Sequence, residues 1–468
     1  MRHTRIIKSL CATITALGLV YLTTSLLGTQ RVEADATVSP PDTPQTLDDS
    51  LVVHEWGTFT TFSGSDGVYL DYRPLASDHS DLPTFVLDRL STTEGLPVFV
   101  KKRVKARVRM ETPVTYFYTD EPRSVNVRVD FPKGMLTEYY PPVKEMQPPL
   151  DRKAAFGEGE LIGDSSLDWG TIDLIPTDSI ISSSIDEPLR SRLAEAFTSR
   201  VLPQGGAMQH YGHARDTDSA LVYVRQERDE KSFNFWNQAP PSAHFEKFLF
   251  YRGVGKFELP VAVQYDADSP RFINRGQDSI RSIILLEVRD GKMRMNVVDE
   301  VASGSSQTFS DLRPVSEQGL ADTLIQRLVA EGLYEKEARS MVNTWKSSWF
   351  TEEGRRVLYM VPGKITEELL PLHVEPAPNE MLRVLVGRME LMSPGDEQAL
   401  LTQVRESVDQ RALHRGNPES AKQPYAIPAG IASYGRMAEP ALARIATIAK
   451  EQTVRREARW LIARLQQD

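Results

Sequence analysis

The chain contains one cysteine, Cys11, in 468 residues. A single thiol makes no internal disulfide and cannot furnish a thiolate zinc site, which takes several sulfurs. The chain also lacks a basic block. Lys and Arg total 55 against 64 Asp and Glu, a formal charge of −9, which makes nucleic acid a poor partner. Apart from one N-terminal stretch it has no long apolar run, and a mean hydropathy of −0.35 excludes a multi-span membrane protein. No Gly-x-Ser-x-Gly elbow, phosphate-binding Walker loop, Ser-x-x-Lys box or His-Glu-x-x-His helix is present. What is there is a 40% apolar composition in a length that suits roughly two to three domains, each with a core of its own.

The N-terminus has the form of an export signal. Arg2, Arg5 and Lys8 precede an uncharged, apolar stretch from Ser9 to Gln30, and Ala34 and Ala36 supply an A-x-A cleavage site. The competing reading is a single uncleaved anchor over residues 9–30, weakened by the threonines of the stretch, Thr13, Thr15, Thr23 and Thr24 among them. Either places the body outside the cytoplasm. Cleavage after Ala36 leaves 432 residues without any cysteine. Residues 37–50, with Pro40, Pro41 and Pro44 among Asp, Thr and Ser, read as a flexible linker.

From Leu51 the pattern is that of short strands. Leu51–Thr60 is dense in β-branched and aromatic residues. Val104, Ala106, Val108 and Met110 alternate with Lys105, Arg107 and Arg109, which predicts one wet face. Val125, Val127, Val129 and Phe131 alternate with Asn126, Arg128 and Asp130 in the same way. Further strands are expected at 114–118, 167–175, 220–224, 247–252, 257–265, 282–288 and 293–298. A Pro/Gly-rich excursion covers 141–160, and Asp186 caps a predicted helix carrying Leu189, Leu193 and Phe197.

After residue 310 the period changes. Leu320, Leu324 and Leu328 repeat at helical spacing before Gly332, and Ala338, Met341, Val342, Trp345 and Trp349 mark a second helix. Strands return at 356–361, 370–374 and 381–392. Ser393-Pro394 starts another helix, and the last 40 or so residues read as a helical pair of HEAT type. The expected fold class is therefore α+β: an antiparallel, β-sandwich-like body at 51–310, and a helix-rich region at 311–468 ending in a HEAT-like hairpin.

Few residues stand out as chemistry. His210 and His213, three apart, with Asp216 as a third ligand, form a candidate divalent-metal site; the alternative is a polar loop in which Arg215 pairs with Asp216 or Asp218. His54 and Glu55 are adjacent on a strand, so they face opposite sides. His54 reads as a hydrogen-bonded core histidine, and Glu55 as an acid or base only if it lies at a strand end beside a cleft. Glu246 and Arg252 flank an apolar strand, where an arginine held by a buried carboxylate is expected. Asp168 beside Trp169 is a carboxylate–aromatic pair of the kind used on glycans. Trp345 and Trp349, one turn apart, read as core.

The blocks His54-Glu55-Trp56-Gly57-Thr58-Phe59-Thr60, Met110–Tyr118, Glu246–Gly255, Trp345–Phe350 and Val386–Glu390 resemble an uncharacterised family of exported bacterial proteins of planctomycete type. The resemblance implies an exported, envelope-associated location and brings no catalytic residues with it. Two function classes follow. One is a hydrolase of envelope or environmental polymers that uses Glu55, Asp168, Glu246 and Arg252 or a His-bound metal. The other is a non-catalytic protein that binds a glycan or an envelope protein. An enzyme requires these groups to converge in one concave site; a binding protein does not.

Overall fold

A computed structural model describes residues 50–76, 82–83, 85–92, 104–149, 163–176, 209–225 and 243–465. The export segment, nearly all of the linker, residues 150–160 of the excursion and the helix expected around Leu189 lie outside these residues.

The strands of the first half are β1 (Val52–Ser63), β2 (Leu87–Asp88), β3 (Val108–Tyr118), β4 (Arg123–Phe131), β5 (Gly134–Tyr140), β6 (Glu145–Gln147), β7 (Ser165–Ile175), β8 (Leu221–Arg225) and β9 (Ala243–Glu246). Those of the second half are β10 (Leu249–Gly255), β11 (Val261–Asp266), β12 (Ser269–Asn274), β13 (Ile280–Arg289), β14 (Lys292–Val301), β15 (Ser306–Thr308), β16 (Arg313–Val315), β17 (Gly354–Val361), β18 (Leu372–Glu375) and β19 (Glu380–Leu391). The helices that shape the site are α1 (Glu317–Ala330), α2 (Glu335–Trp349), α3 (Gly363–Leu369), α4 (Pro394–Gly416), α5 (Ala438–Ile448) and α6 (Gln452–Leu465).

Ten strands form one central sheet, in the order β16-β14-β13-β17-β19-β1-β3-β10-β5-β2. One face packs through a large core against a sheet containing β18, β4, β7, β8 and β9 and a three-stranded sheet of β11, β12 and β15. α1 and α2 cover the other face through a second core built on Trp56, Tyr116, Phe250, Leu324 and Trp349. At one end, Phe62, Tyr72 and Met392 pass into a third core with α4, α5 and α6.

This layering explains the sequence pattern. β4 alternates buried and exposed residues because it belongs to an outer sheet with one wet face. β1 is buried at all twelve positions because it lies mid-sheet with layers on both sides. Helix starts follow capping chemistry: Ser316 accepts from the Gly319 amide, and Ser393 and Asp396 form a capping box beside Pro394 at the first position of α4. Gly332 ends the α1 segment at φ +108, where a Cβ would also meet Leu382 at 2.9 Å.

The mixed α and β class with helices toward the C-terminus is as expected, but two details differ. β1 pairs with β19 in parallel, so the body is not wholly antiparallel. The central sheet also crosses residue 310, because β17 and β19 sit between β13 and β1. A boundary drawn where local periodicity changes misses a pairing between strands more than three hundred residues apart. The wet face predicted around Arg109 is instead buried, since β3 is an interior strand. The closing pair α5 and α6 is present and packs on α4.

Candidate functional site

Glu55 lies near the start of β1, fully buried on the sheet-packing face. Its register partners are Arg383 on β19 and Thr115 on β3. Arg383 donates to Glu55 Oε2 through Nε at 2.7 Å, and its Nη2 stands 2.6 Å from the same oxygen as an ion pair. The Thr115 hydroxyl donates to Oε1 at 2.9 Å, and the Tyr251 hydroxyl donates to the same oxygen. Arg383 also donates to Glu367 on α3 and to the Leu370 carbonyl. Burial pulls the Arg383 guanidinium down, and Glu55 more than reverses that. The carboxylate is therefore engaged as a cross-sheet brace: it is fully buried and both of its oxygens already accept hydrogen bonds, which leaves it unlike the open carboxylate that acid–base work requires.

His54 faces the helices. Its Nδ1 donates to Glu337 Oε2 at 2.9 Å, and the same carboxylate accepts from the Tyr118 hydroxyl at 2.7 Å and the Tyr334 amide at 2.8 Å. The Tyr334 ring lies 4.5 Å from the imidazole. His54 Nε2 is buried without a hydrogen bond, 3.8 Å from Glu380 Oε1. The histidine is a core residue, as its apolar neighbours suggested, but its carboxylate partner on α2 was not legible.

The remaining nominees are dispersed. Glu246 at the end of β9 grips Arg215 through two bonds of 2.9 and 2.7 Å and accepts from the Tyr211 hydroxyl and the Lys247 amide. The arginine on the Glu246 carboxylate is Arg215, and among the described residues Arg215 pairs with neither Asp216 nor Asp218. Asp218 takes Lys336 on α2 at 2.6 Å. His213 closes a short helical turn, Gln209–His213, and its Nδ1 stands 3.8 Å from an exposed Asp216 carboxylate. The His210 side chain lies outside the described residues. Among the described residues, no three metal-ligating side chains gather. Asp168 accepts from the Gly170 amide at 2.7 Å on the side of β7 away from Trp169, which is buried and donates to the Pro141 carbonyl. Adjacent strand residues face opposite ways, so these two cannot share a sugar.

Arg252 is buried on the helix face of the sheet, where Arg109, Arg356 and Arg388 are also buried. Arg356 and Arg388 both hold Glu390, at 3.0 and 2.6 Å, and Arg388 reaches Glu352 at 2.6 Å. Half-buried Arg436 joins from the C-terminal helices, to Glu352 at 3.2 Å and Glu111 at 3.5 Å. Thr60 donates to Glu111 at 2.8 Å. Burial alone would raise the Glu111 carboxyl, but Arg436, Arg109 and Arg388 outweigh it and hold it at about 2. Glu390 is lowered in the same way, against burial, by Arg356 and Arg388. This network ties the sheet to the end of α2 and to the C-terminal helices. A sequence signal for it existed: Arg388 and Glu390 continue the face of β19 on which Leu382, Val384 and Val386 are apolar.

Two surface features complete the inventory. On the C-terminal helices, Arg411 lies 4.3 Å from the Trp460 ring, Tyr425 is 5.8 Å from Trp460, and His414 is 5.4 Å from Tyr425. Leu413 beside them is 75% exposed. At the other end of the sheet a cleft of about 360 Å³ opens between the start of β13, the end of β17, the first residues of α3 and Leu382–Val384 of β19. Trp345 and Trp349 stack at 6.2 Å in the core as expected and form no surface platform.

No family model and no curated protein matches the chain. Among solved structures, the yeast delta-COP-I mu-homology domain aligns over 75% of this chain and 98% of its own, at 7% identity and a TM-score of 0.22. The same domain complexed with a Dsl1 WxWxV peptide aligns over 73% and 96%, at 5% identity and a TM-score of 0.21. Likeness at that level carries no argument about this chain.

Proposed function

We propose that the protein is exported to the cell envelope and works there as a non-catalytic binding protein with a glycan polymer as its partner. The observation that carries this reading is that the described carboxylates nominated for acid–base work do not converge. Glu55 is consumed by Arg383, Glu246 by Arg215, and Asp168 by its own turn. Buried, fully hydrogen-bonded carboxylates brace a fold; a catalytic pair must face one cavity. The export signal at 1–36 and the resemblance to exported bacterial proteins support the location. The rings of Trp460, Tyr425 and His414, with Arg411 and Gln410, supply the aromatic and planar polar groups that sugars bind. In this reading the closing helices form one HEAT-like hairpin that contributes Trp460 to a surface shared with Arg411 and His414 of α4 and Tyr425 of the α4–α5 connection.

The test is co-sedimentation of the exported chain with purified peptidoglycan sacculi, with soluble reducing sugar assayed in the supernatant. Binding without sugar release, weakened by Trp460→Ala or Tyr425→Ala, is expected. Sugar release that disappears in Glu246→Gln or His213→Ala would make the protein a hydrolase. A reporter fused to residues 1–36 that stays in the cytoplasm would overturn the location.

A further inference from the structure

Beside the cleft at the β13–β17 end of the sheet the strand ladder breaks. Arg281 pairs with Met360 and Ile284 with Leu358, so Ser282 and Ile283 oppose the single residue Tyr359. Ser282 adopts φ +54, a left-handed backbone conformation uncommon outside glycine. Such a bulge twists its strand away from the neighbour and is frequent beside binding sites. Met360, Leu382 and Val384 give the cleft an apolar lining. Arg281 and Glu331 neutralise each other on one side at 2.6 Å. Arg383, which also lines the cleft, is taken up by Glu55 and Glu367, so the lining charges left are Asp278 from the β12–β13 connection and Lys364 from the first turn of α3. Neither side-chain charge has an ion-pair partner among the described residues. The volume, about 360 Å³, is at the low end for ligand pockets.

We propose that this cleft binds a small zwitterion with an apolar body, a dipeptide with free termini. Lys364 takes its carboxylate, Asp278 takes its ammonium group, and Met360, Leu382 and Val384 take its side chains. One positive and one negative group beside an apolar lining match such a ligand in both charge and polarity, whereas a polyanion or polycation would meet a like charge. The site goes beyond the glycan-binding reading and stands or falls without it.

The experiment is calorimetric titration of the full exported chain with Leu-Leu, and with the same dipeptide acetylated and amidated at its ends. Saturable binding of Leu-Leu is expected, with at least about a tenfold loss on capping and in Lys364→Gln and Asp278→Asn, each about 1.4 kcal/mol. Lys364 is exposed and Asp278 half-buried, so both variants should keep the wild-type melting temperature, which is measured alongside. Absence of Leu-Leu binding at millimolar concentration overturns the proposal. Equal binding of the capped dipeptide, or unchanged affinity in both variants, overturns it as well.

Discussion

Glu55 and Arg383 face each other directly across the parallel β1–β19 pairing of the central sheet, and two nitrogens of the guanidinium stand against one oxygen of the carboxylate. Glu55 is fully buried, Arg383 nearly so, and hydroxyl donors from β3 and β10 also reach the carboxylate. Breaking such a pair strands a charge in the interior. Arg383→Met should therefore destabilise the fold by about 3–5 kcal/mol, read as a shift in urea midpoint. Adding Glu55→Leu should recover only part of that loss, because the Thr115 and Tyr251 hydroxyls then lose their acceptor. A double-mutant cycle with no coupling between the two sites would contradict the brace.

The arginine–glutamate network makes a pH prediction. Glu111 is held at about 2, below an ordinary carboxylate near 4.3, so its charged form is favoured by folding. A lowered folded-state value contributes stability that is complete above the unfolded value and is lost as pH falls toward the folded one. Glu390 moves in the same direction. Stability should thus drop between about pH 4.3 and 2, by about 3 kcal/mol from Glu111 alone. Urea midpoints across that range check it. Glu111→Gln should flatten the pH slope while lowering stability at pH 7.

Gly387 on β19 lies against the Tyr359 ring, and a Cβ placed there would stand 2.2 Å from the ring's Cζ. The strand cannot carry any side chain at that position without displacing a buried tyrosine. Gly387→Ala should cost about 1–3 kcal/mol by overpacking. The same substitution in a Tyr359→Leu background should cost markedly less, and an equal cost in both backgrounds would place the strain elsewhere.

The parts of the fold legible in the sequence are those with a local physical cause. β4 shows its alternation because one face meets water, and α4 shows its start because Ser393, Pro394 and Asp396 satisfy free amides. β5 was missed because Gly134–Tyr140 is buried on both faces and so carries no period-two pattern. The β1–β19 pairing was missed because no local signal specifies a partner so distant in the chain. The same limit governed the site residues. Glu55 and Glu246 stand out as charges among apolar neighbours, but Arg383 and Arg215, which decide what the acids do, and Glu337, which holds His54, lie on other elements. A charge on an apolar strand indicates a buried partner without naming it.

His54 and Glu337 give the last prediction. One carboxylate accepts from the imidazole, from the Tyr118 hydroxyl and from the Tyr334 amide, so it joins β1, β3 and the first turn of α2. A carboxylate only accepts, so the proton lies on His54 Nδ1. Nitrogen NMR of the imidazole should show Nδ1 protonated. Glu337→Ala removes three hydrogen bonds at once and leaves the donors buried; at about 1–3 kcal/mol for each orphaned group the expected loss is at least about 3 kcal/mol. Glu337→Gln keeps one acceptor oxygen but brings an NH₂ group against another donor, so it should rescue only part of the loss. If Glu337→Gln proves as stable as wild type in urea denaturation, the charge is unnecessary and the cage is held by packing of the Tyr118 and Tyr334 rings around His54.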